Sequence, residues 1–223
     1  MKPILDQEHR LTLAPFLKSN TLMAFDYDGT LAPIVNDPKR AEMRPETKHL
    51  LRAIAQRYPT VVITGRARSD IRHFLQGIPL LEIVGNHGSE IAGVEPISVA
   101  RKVSCWHTDI SERLECLAGI HVENKRYSLA IHYRRSEDRD HARKKISDIL
   151  ESLTEARIIQ GEMVVNVLPL DVPDKGNALM RVRDRFGAPR SIYVGGEDAD
   201  EPAFAVDPDE SFLGIRVGYC DSS

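Results

Sequence analysis

Residues 22–31 read Leu-Met-Ala-Phe-Asp-Tyr-Asp-Gly-Thr-Leu, an apolar segment that ends on two aspartates, Asp26 and Asp28, before a glycine. An apolar run of this length is typical of a buried β-strand. Burying a carboxylate costs free energy unless a cation or hydrogen bonds compensate the charge, so a fold tolerates it mainly where the charge is useful. The alternative is an ordinary turn with capping aspartates, because Asp-Gly pairs often form turns. Further polar groups at strand ends would favour the site over the turn.

Three further segments carry polar groups at the ends of predicted strands or helices. Residues 60–66 read Thr-Val-Val-Ile-Thr-Gly-Arg, a β-branched strand with a hydroxyl, a glycine and a guanidinium at its end. Lys175 stands in the first turn of a predicted helix, where the helix dipole disfavours a cation. Residues 191–201 read Ser-Ile-Tyr-Val-Gly-Gly-Glu-Asp-Ala-Asp-Glu, a strand that runs into an acidic loop. Four strand or helix ends that carry polar groups, in this order along the chain, indicate one active site.

In this order and chemistry the chain resembles the haloacid dehalogenase-like phosphatases. Their hallmarks are a DxDGT segment, a Thr or Ser at the end of a later strand, a lysine and an acidic loop, and the match spans the whole chain. Within that superfamily the chain is most similar to the trehalose-6-phosphate phosphatases. That likeness rests on residues 26–35 (Asp-Tyr-Asp-Gly-Thr-Leu-Ala-Pro-Ile-Val), 85–88 (Gly-Asn-His-Gly) and 122–125 (Val-Glu-Asn-Lys).

The composition is that of a globular chain, since 223 residues with 42% hydrophobic content suffice for a packed core. The net charge of −3 argues against nucleic acid or an anionic membrane as the main partner. Cys105, Cys116 and Cys220 have no metal-type spacing, so neither a disulfide framework nor a zinc site is predicted, and a reducing cytoplasm is the expected compartment. No apolar run approaches the length of a membrane span. The oligomeric state is left open.

Strands and helices alternate over residues 1–91 and again from 174 to the end, which predicts an α/β fold with a doubly wound, Rossmann-like parallel sheet. The predicted strands cover 21–26, 60–64, 81–85, 191–194 and 212–217. The predicted helices cover 45–57, 67–75, 174–187 and 201–205, after a short N-terminal helix.

Between these stretches the pattern changes to helix, hairpin, helix, hairpin. The helices are predicted at 107–118 and 137–152, and the hairpin strands at 119–124, 127–133, 156–160 and 163–168, with the second turn at Gln160-Gly161. This pattern predicts a core of residues 1–99 and 172–223 and an inserted α+β cap domain of residues 100–171. The resemblance implies the same division, with a cap that closes over the carboxyl edge of the sheet, where open parallel sheets bind ligands.

The strand ends supply the groups that hydrolysis of a phosphate ester needs. Asp26 is placed to be a nucleophile that forms an aspartyl-phosphate, which divides a slow reaction into two steps. Asp28 would protonate the leaving oxygen and then activate water. Thr64 and Lys175 would stabilise the phosphoryl group. The alternatives are a helix cap for Thr64 and a solvated first-turn residue for Lys175.

A carboxylate that attacks a phosphoryl dianion meets repulsion, so a divalent cation, Mg²⁺, is predicted between them. The resemblance implies that the Asp28 backbone carbonyl is one ligand. In the acidic loop the family reads Gly-Asp-Asp-x-Thr-Asp-Glu, so Gly196 replaces a direct metal ligand; Glu197 would take its place and Asp200 would order the loop or a bound water. The predicted metal residues are Asp26, Asp28, Glu197 and Asp200. An acidic turn without a metal is the alternative, which mutual repulsion disfavours.

Recognition of the sugar phosphate is predicted at loop and hairpin residues. The candidate substrate-binding residues are Gly29, Gly65, Arg66, Asn86, His87, Gly88, Lys125, His132 and Arg134. Ordinary loop, turn and strand-end roles are the alternative for their side chains. The family pattern Glu-x-Arg-Pro near the second hairpin appears here as residues 166–169, Asn-Val-Leu-Pro, so two charged groups associated with the sugar are absent and selectivity is expected to differ.

The resemblance implies a magnesium-dependent phosphoric monoester hydrolase that acts on a small-molecule sugar phosphate. The first candidate is trehalose 6-phosphate, hydrolysed to trehalose and phosphate in trehalose biosynthesis. Asn166 and Leu168 favour a second possibility, a phosphatase for another glycosyl or polyol phosphate. Gly196 favours a third, a catalytically weakened phosphosugar-binding protein, against which the complete nucleophilic half of the site weighs.

Overall fold

The chain divides into two compact units, one formed by residues 1–92 and 173–223 and the other by residues 93–172. A computed structural model describes the chain over residues 10–18, 20–35, 37–206 and 210–218. The division lies a few residues before the predicted start of the insertion, because the helix that opens the second unit begins at Ile97.

The helices of the described residues are α1 (Arg10–Leu13), α2 (Pro45–Arg57), α3 (Arg68–Ile71), α4 (Ile97–Leu114), α5 (Arg139–Leu150), α6 (Lys175–Arg185) and α7 (Glu201–Phe204). The strands are β1 (Thr21–Phe25), β2 (Thr60–Ile63), β3 (Glu82–Val84), β4 (His121–Asn124), β5 (Leu129–His132), β6 (Ala156–Gly161), β7 (Val164–Pro169), β8 (Arg190–Gly195) and β9 (Phe212–Arg216). Short 3-10 turns lie at Ala14–Phe16, Pro38–Arg40, Asn86–Gly88 and Asp198–Asp200.

The first unit is built on a five-stranded sheet in the order β3-β2-β1-β8-β9, in which neighbouring strands are parallel. Every residue of β1 is buried. Leu22 and Ala24 pack into one apolar cluster and Met23 and Phe25 into another, since successive side chains of a strand point to opposite faces. The apolar run therefore forms the central strand of a sheet that is covered on both faces.

Parallel strands bring their carboxyl ends to one edge of the sheet. That edge carries Asp26 after β1, Thr64 after β2 and Gly196 after β8. The polar residues that the sequence predicts at these strand ends therefore lie next to one another in space.

The second unit is a four-stranded antiparallel sheet in the order β4-β5-β7-β6. Helix α4 packs against β4, β7 and α5. The core combines Val103 and Ile110 of α4 with Ile146 of α5 and with Leu129 and Val167 of the sheet. The parallel sheet and the separate antiparallel sheet confirm the predicted α/β class with an α+β insertion.

Two predicted helix boundaries were wrong. Helix α4 begins at Ile97 rather than at 107, because Val99 and Val103 extend the buried spacing of Ile110. Helix α3 ends at Ile71 rather than at 75, and the chain continues in turns that end at Gly77, whose φ of 80° lies in the left-handed region.

The turn of the second hairpin was also placed wrongly. Gly161 remains in β6, where it pairs with Val164 of β7. The two residues between them are Glu162 and Met163, and Met163 adopts a φ of 59°. A tight turn needs this left-handed backbone, and the glycine that suggested the turn lies just before it.

Two further observations concern the cysteines and the helices. Cys105 and Cys116 are exposed free thiols, and Cys220 lies outside the described residues. Among the helices of the described residues, none combines the length and apolar character needed to cross a membrane.

Candidate active site

The site forms around Asp26, the residue that follows β1. Its backbone N–H donates to the Val194 carbonyl at 2.8 Å, and its side chain is only 2% exposed. One carboxylate oxygen, Oδ1, accepts a hydrogen bond from Nζ of Lys175 at 2.8 Å. The other, Oδ2, lies 3.5 Å from the hydroxyl of Thr30. The carboxylate therefore has one oxygen that Lys175 holds and one that it does not.

Lys175 is a buried cation between two aspartates. It is the first residue of α6, whose N-cap Asp174 accepts a hydrogen bond from the Asn177 N–H at 2.7 Å. Nζ donates to Oδ1 of Asp26 and, at 2.6 Å, to Oδ1 of Asp200. The side chain is 1% exposed, so this lysine is not a solvated first-turn residue. Pairing with two carboxylates is what makes its burial tolerable.

Asp200 anchors the other end of this network. Oδ1 also accepts from the Tyr193 hydroxyl at 2.7 Å, and Oδ2 accepts from the N–H groups of Gly196 at 2.8 Å and Glu197 at 2.9 Å. Four hydrogen bonds, including that from Lys175, occupy the lone-pair positions of a carboxylate. Asp200 therefore orders the acidic loop, which is one of the two roles expected for it, and its contribution to a metal site stays a prediction.

The charges of the network set the pKa values of its members. Burial raises the pKa of Asp26 to about 6, against the attraction of Lys175. Burial would lower the pKa of Lys175, but the neighbouring groups Asp26, Tyr193 and Asp200 outweigh it and hold the pKa well above its ordinary value. Burial would raise the pKa of Asp200, but Lys175 and the hydrogen bonds bring it below its ordinary value. Near neutral pH the lysine is a cation and both aspartates are mostly anions.

Glu197 adds a further acidic group beside Asp26. Burial, and then the charge of Asp26, raise the pKa of Glu197 to about 7, while Lys175 lowers it. Its side chain accepts a hydrogen bond from the Asp200 N–H, which completes a reciprocal capping pair at the start of the loop helix. A bound divalent cation would relieve the repulsion between these carboxylates.

The negative charge of the residues present suits a magnesium ion, although they do not form a complete set of protein ligands. Within the described ranges, no three His, Cys, Asp or Glu side chains are grouped so that they could hold a metal ion. Magnesium is often held by only one or two carboxylates, with waters and substrate phosphates as the other ligands. Asp26 and Glu197, whose pKa values are both raised, are two carboxylates of this kind.

Position 196 leaves no room for a side chain, which accounts for the glycine there. A Cβ atom there would lie 2.6 Å from the carbonyl oxygen of Val217, and 3.6 Å from that of Gly29. The Val217 N–H donates to the Gly195 carbonyl at 2.7 Å, which fixes this part of the chain after β9. An aspartate at position 196 would therefore require Val217 to move.

Arg66 binds Asp28 rather than pointing at an open phosphate site. Nε and Nη2 each donate to one oxygen of Asp28 at 2.7 Å, and Nη1 donates to the Pro38 carbonyl at 2.8 Å. The guanidinium carbon lies 5.6 Å from the ring centre of Tyr27 and 5.7 Å from that of Phe74. Every guanidinium nitrogen thus has a protein partner. In this arrangement Arg66 orients Asp28, and its substrate-binding role stays a prediction.

Thr64 follows β2 and is fully buried. Its N–H donates to the Val84 carbonyl at 2.9 Å, and its hydroxyl oxygen accepts from the Arg66 N–H at 3.2 Å. The N-cap of α3 is Ala67, so Thr64 does not cap that helix. The hydroxyl retains a proton that can be donated to a phosphoryl oxygen.

Two predicted substrate-binding glycines are required by the local geometry. Gly29 has a φ of 75°, in the region that favours glycine, and its N–H donates to the Ala32 carbonyl at 2.8 Å. A Cβ on Gly65 would lie 2.5 Å from Cε1 of His87. The turn at Gly29 and the packing at Gly65 therefore exclude larger residues.

The predicted loop at Gly85–Gly88 is buried against these segments. Asn86 is 0% and His87 4% exposed, and both have positive φ values, 47° and 55°. A Cβ on Gly88 would clash with the carbonyl oxygen of Asp174, the residue before Lys175. The side chains of Asn86 and His87 lie inside the unit, which favours support of the site over direct contact with a substrate.

The remaining predicted substrate residues lie in the second unit. Lys125 begins the turn between β4 and β5. His132 pairs with the Glu123 carboxylate at 2.9 Å, and this hydrogen bond lowers the pKa of Glu123. Arg134 pairs with Glu162 at 3.4 Å. Their roles in sugar binding stay predictions.

Tyr193 and Glu123 were missed by the sequence reasoning. Tyr193 carries a hydroxyl into the buried part of β8, between Ile192 and Val194, and that was the available signal. Glu123 lies in β4, and its pairing with His132 of β5 is a contact between strands that no local sequence pattern indicates.

Comparison with known proteins gives a consistent result. The sequence model of the trehalose-phosphatase family matches residues 24–223. A probable trehalose-phosphate phosphatase D of Arabidopsis thaliana is 32% identical over 211 residues, which cover 83% of this chain and 56% of the relative. The trehalose 6-phosphate phosphatase RA3 of Zea mays is 30% identical over 212 residues, which cover 83% and 58%. The chain thus spans a little more than half the length of these relatives.

A solved structure shows the same fold. The C-terminal domain of the C. albicans trehalose-6-phosphate phosphatase superposes with a TM-score of 0.71 at 22% identity, covering 87% of this chain and 76% of that one. At this level of identity the likeness concerns the fold alone.

Proposed function

This chain belongs to the trehalose-phosphatase family, and on that premise we propose that it hydrolyses a sugar phosphate, with trehalose 6-phosphate as the first candidate substrate. The observation that carries the proposal is the buried Asp26, whose Oδ1 accepts a hydrogen bond from Lys175 while Oδ2 lies 3.5 Å from the Thr30 hydroxyl. A carboxylate fixed by one oxygen presents the other in a defined direction, as a nucleophile requires.

In the first step, Oδ2 of Asp26 forms a bond to phosphorus while the bond from phosphorus to the sugar oxygen breaks. Asp28 gives a proton to the departing oxygen. Arg66 donates one hydrogen bond to each oxygen of Asp28, which leaves a second lone-pair position on each oxygen for the proton that is delivered. Lys175 and the Thr64 hydroxyl stabilise the charge on the transferring group.

In the second step, water attacks the phosphorus of the aspartyl-phosphate and gives its proton to Asp28. The bond from phosphorus to Oδ2 of Asp26 breaks, phosphate leaves, and the free carboxylate forms again with Oδ1 still bound to Lys175. Each proton taken in this step replaces the one given in the first, so Asp28 ends as it began.

Mg²⁺ is the proposed cofactor, held by the carboxylates of Asp26 and Glu197 and by the Asp28 carbonyl. When bound, it supplies positive charge that lowers the repulsion between the nucleophile and the phosphoryl group. Asp200 would hold Glu197 in place for the ion, since it accepts a hydrogen bond from the Glu197 N–H. We also propose a reducing cytoplasm as the compartment, which the exposed thiols of Cys105 and Cys116 favour.

A second substrate class is favoured by β7 of the inserted unit. Asn166 and Leu168 stand where the family pattern has a glutamate and an arginine. Two charged groups that would recognise sugar hydroxyls are therefore absent, and another glycosyl or polyol phosphate becomes the alternative substrate.

The test is phosphate release from a panel of sugar phosphates with and without MgCl₂. Asp198→Asn is the matched control for variants of the site carboxylates, because Asp198 is an exposed carboxylate of the acidic loop. We expect magnesium-dependent release, fastest with trehalose 6-phosphate. Faster release from glucose 6-phosphate would favour the second class. Binding of trehalose 6-phosphate without turnover under any divalent metal would contradict the enzyme proposal and favour a phosphosugar-binding protein.

A further inference from the structure

Glu90 ties together two segments of the first unit. A single carboxylate oxygen, Oε2, accepts hydrogen bonds from the Arg68 N–H and from Nδ2 of Asn86, each at 2.8 Å. The backbone of Glu90 is also paired with Gly85 in both directions, at 2.9 Å and 3.1 Å. Glu90 therefore joins the loop after β3 to the start of α3, which directly follows Arg66.

The loop that Glu90 holds has an unfavourable backbone. Asn86 and His87 are consecutive residues with positive φ, a conformation that persists only where the surroundings enforce it. Their N–H groups donate to the carbonyls of Arg66 and Thr64, at 2.8 Å and 2.9 Å. The hydrogen bond from Asn86 to Glu90 is one of the contacts that keep this backbone in place.

The strained loop encloses the end of β2. Two of its N–H groups bind the carbonyls on either side of Gly65, and the His87 ring fills the space where a Gly65 side chain would be. The same loop meets the start of α6, since Gly88 packs on the Asp174 carbonyl. One loop therefore supports both Thr64 and the residue before Lys175.

We infer that Glu90 is a positioning residue of the proposed phosphatase reaction. It acts through the loop to hold the Thr64 hydroxyl, and the Arg66 guanidinium that orients Asp28, in their working positions. The inference rests on the proposed function. It concerns neither the nucleophile nor the metal, and Glu90 itself contacts no reacting group.

The first test compares Glu90→Leu with Glu90→Gln. Leucine removes the acceptor, whereas the single amide oxygen of glutamine can accept both hydrogen bonds that Oε2 accepts. We expect Glu90→Leu to lower kcat about 10- to 100-fold with KM changed less than about three-fold, as small displacements of catalytic groups do. Glu90→Gln should stay within about three-fold of the wild type on the same ground.

A second readout follows the leaving group. If Asp28 is displaced in Glu90→Leu, a sugar phosphate, whose leaving oxygen needs a proton, should lose more activity than p-nitrophenyl phosphate, whose leaving group does not. A merely structural defect would lower both activities by the same factor. Hydrogen exchange of the Arg68 amide should also become faster, because Glu90 is its acceptor.

Two further variants keep the test independent of folding defects. Asn86→Gly removes the side chain that donates to Glu90 but suits the positive φ, so kcat should fall while the melting temperature changes little. Glu82→Leu is the matched control, because Glu82 is a buried carboxylate of the same unit that accepts from Arg185 and the Ala92 N–H. It should lower the melting temperature without the leaving-group effect.

The outcomes are separable. An unchanged kcat in Glu90→Leu would overturn the inference, and equal losses with both leaving groups would overturn the part of it that concerns Arg66 and Asp28. A wild-type protein that releases phosphate from no substrate overturns the proposed function instead, and with it the catalytic consequence assigned to Glu90.

Discussion

Asp26 and Asp28 are two residues apart in the sequence, yet their side chains differ in exposure and in their hydrogen-bond partners. The Asp26 side chain is 2% exposed and shares one oxygen with a lysine that is itself buried. The Asp28 side chain is 27% exposed, and Arg66 occupies both of its oxygens. A nucleophile needs a fixed direction, whereas an acid and base must exchange protons with water and the substrate. The difference in burial and pairing therefore separates the two roles that the proposed reaction assigns to these carboxylates.

The largest effect is expected when the buried member of the pair is removed. Asp26→Asn keeps the shape of the side chain but abolishes its nucleophilic charge, so phosphate release should fall by at least about 10³-fold, as loss of a nucleophile does in other covalent enzymes. Initial rates with saturating substrate measure it. Asp198→Asn should retain near wild-type rates, and a substantial residual rate in Asp26→Asn would assign the nucleophile elsewhere.

Removing the cation of the buried pair should damage stability as well as activity. Lys175→Met leaves Asp26 and Asp200 buried without their shared partner, so the free energy of unfolding should fall by about 3–5 kcal/mol. Urea unfolding measures the loss. Adding Asp200→Asn to Lys175→Met should restore part of the stability, whereas Lys102→Met, at an exposed ion pair, should leave the midpoint nearly unchanged. Equal stability of Lys175→Met and wild type would contradict the paired arrangement.

The role of Asp28, the more exposed of the two aspartates, is tested by changing its partner Arg66. Arg66→Lys cannot bind both oxygens of Asp28, so kcat should fall about 10²-fold, the scale of general acid catalysis, while KM changes little. Steady-state kinetics separate the two parameters. A rise in KM at constant kcat would instead mean that Arg66 binds the phosphate. Arg185→Lys, at the far end of α6, is the matched control.

The smallest expected effect is the dependence of stability on pH and on magnesium. The pKa values of Asp26 and Glu197 are raised to about 6 and about 7, so the folded state binds protons more tightly than the unfolded chain. Without metal, stability should therefore be lost as pH rises from about 4 to about 7, which is the window between the ordinary and the raised values.

Glu197→Gln removes one of these charges. At pH 8 in EDTA it should raise the free energy of unfolding by about 1–3 kcal/mol, and it should weaken the stabilisation that MgCl₂ gives the wild type. Thermal unfolding with and without magnesium measures both effects, with Asp198→Asn as the control. Equal stabilisation of wild type and Glu197→Gln by magnesium would exclude Glu197 as a ligand.

The sequence predicted what local patterns control. The apolar run before Asp26 identified the central strand, and a cation in a first helical turn identified Lys175, since both signals lie within a few residues of the group concerned. The start of α4 was missed because Val99 and Val103 precede the stretch whose spacing was recognised.

Contacts between distant segments were beyond these patterns. Arg66 reaches Asp28 across 38 residues of sequence, and no local feature distinguishes a guanidinium that binds a carboxylate from one that binds a phosphate. The Val217 carbonyl that excludes a side chain at Gly196 belongs to the residue that follows β9. Glu90 is an ordinary acidic residue in sequence, and its partners become evident only in the folded loop.

The central claim is that Asp26 forms the covalent intermediate. It is tested most directly by acid quenching during turnover of trehalose 6-phosphate, reduction with borohydride and peptide mass spectrometry, because the reagent converts an aspartyl-phosphate to homoserine. We expect homoserine at position 26, and none in Asp26→Asn. Turnover with no modification at position 26, or with modification at Asp28 instead, would contradict the division of roles between the two aspartates.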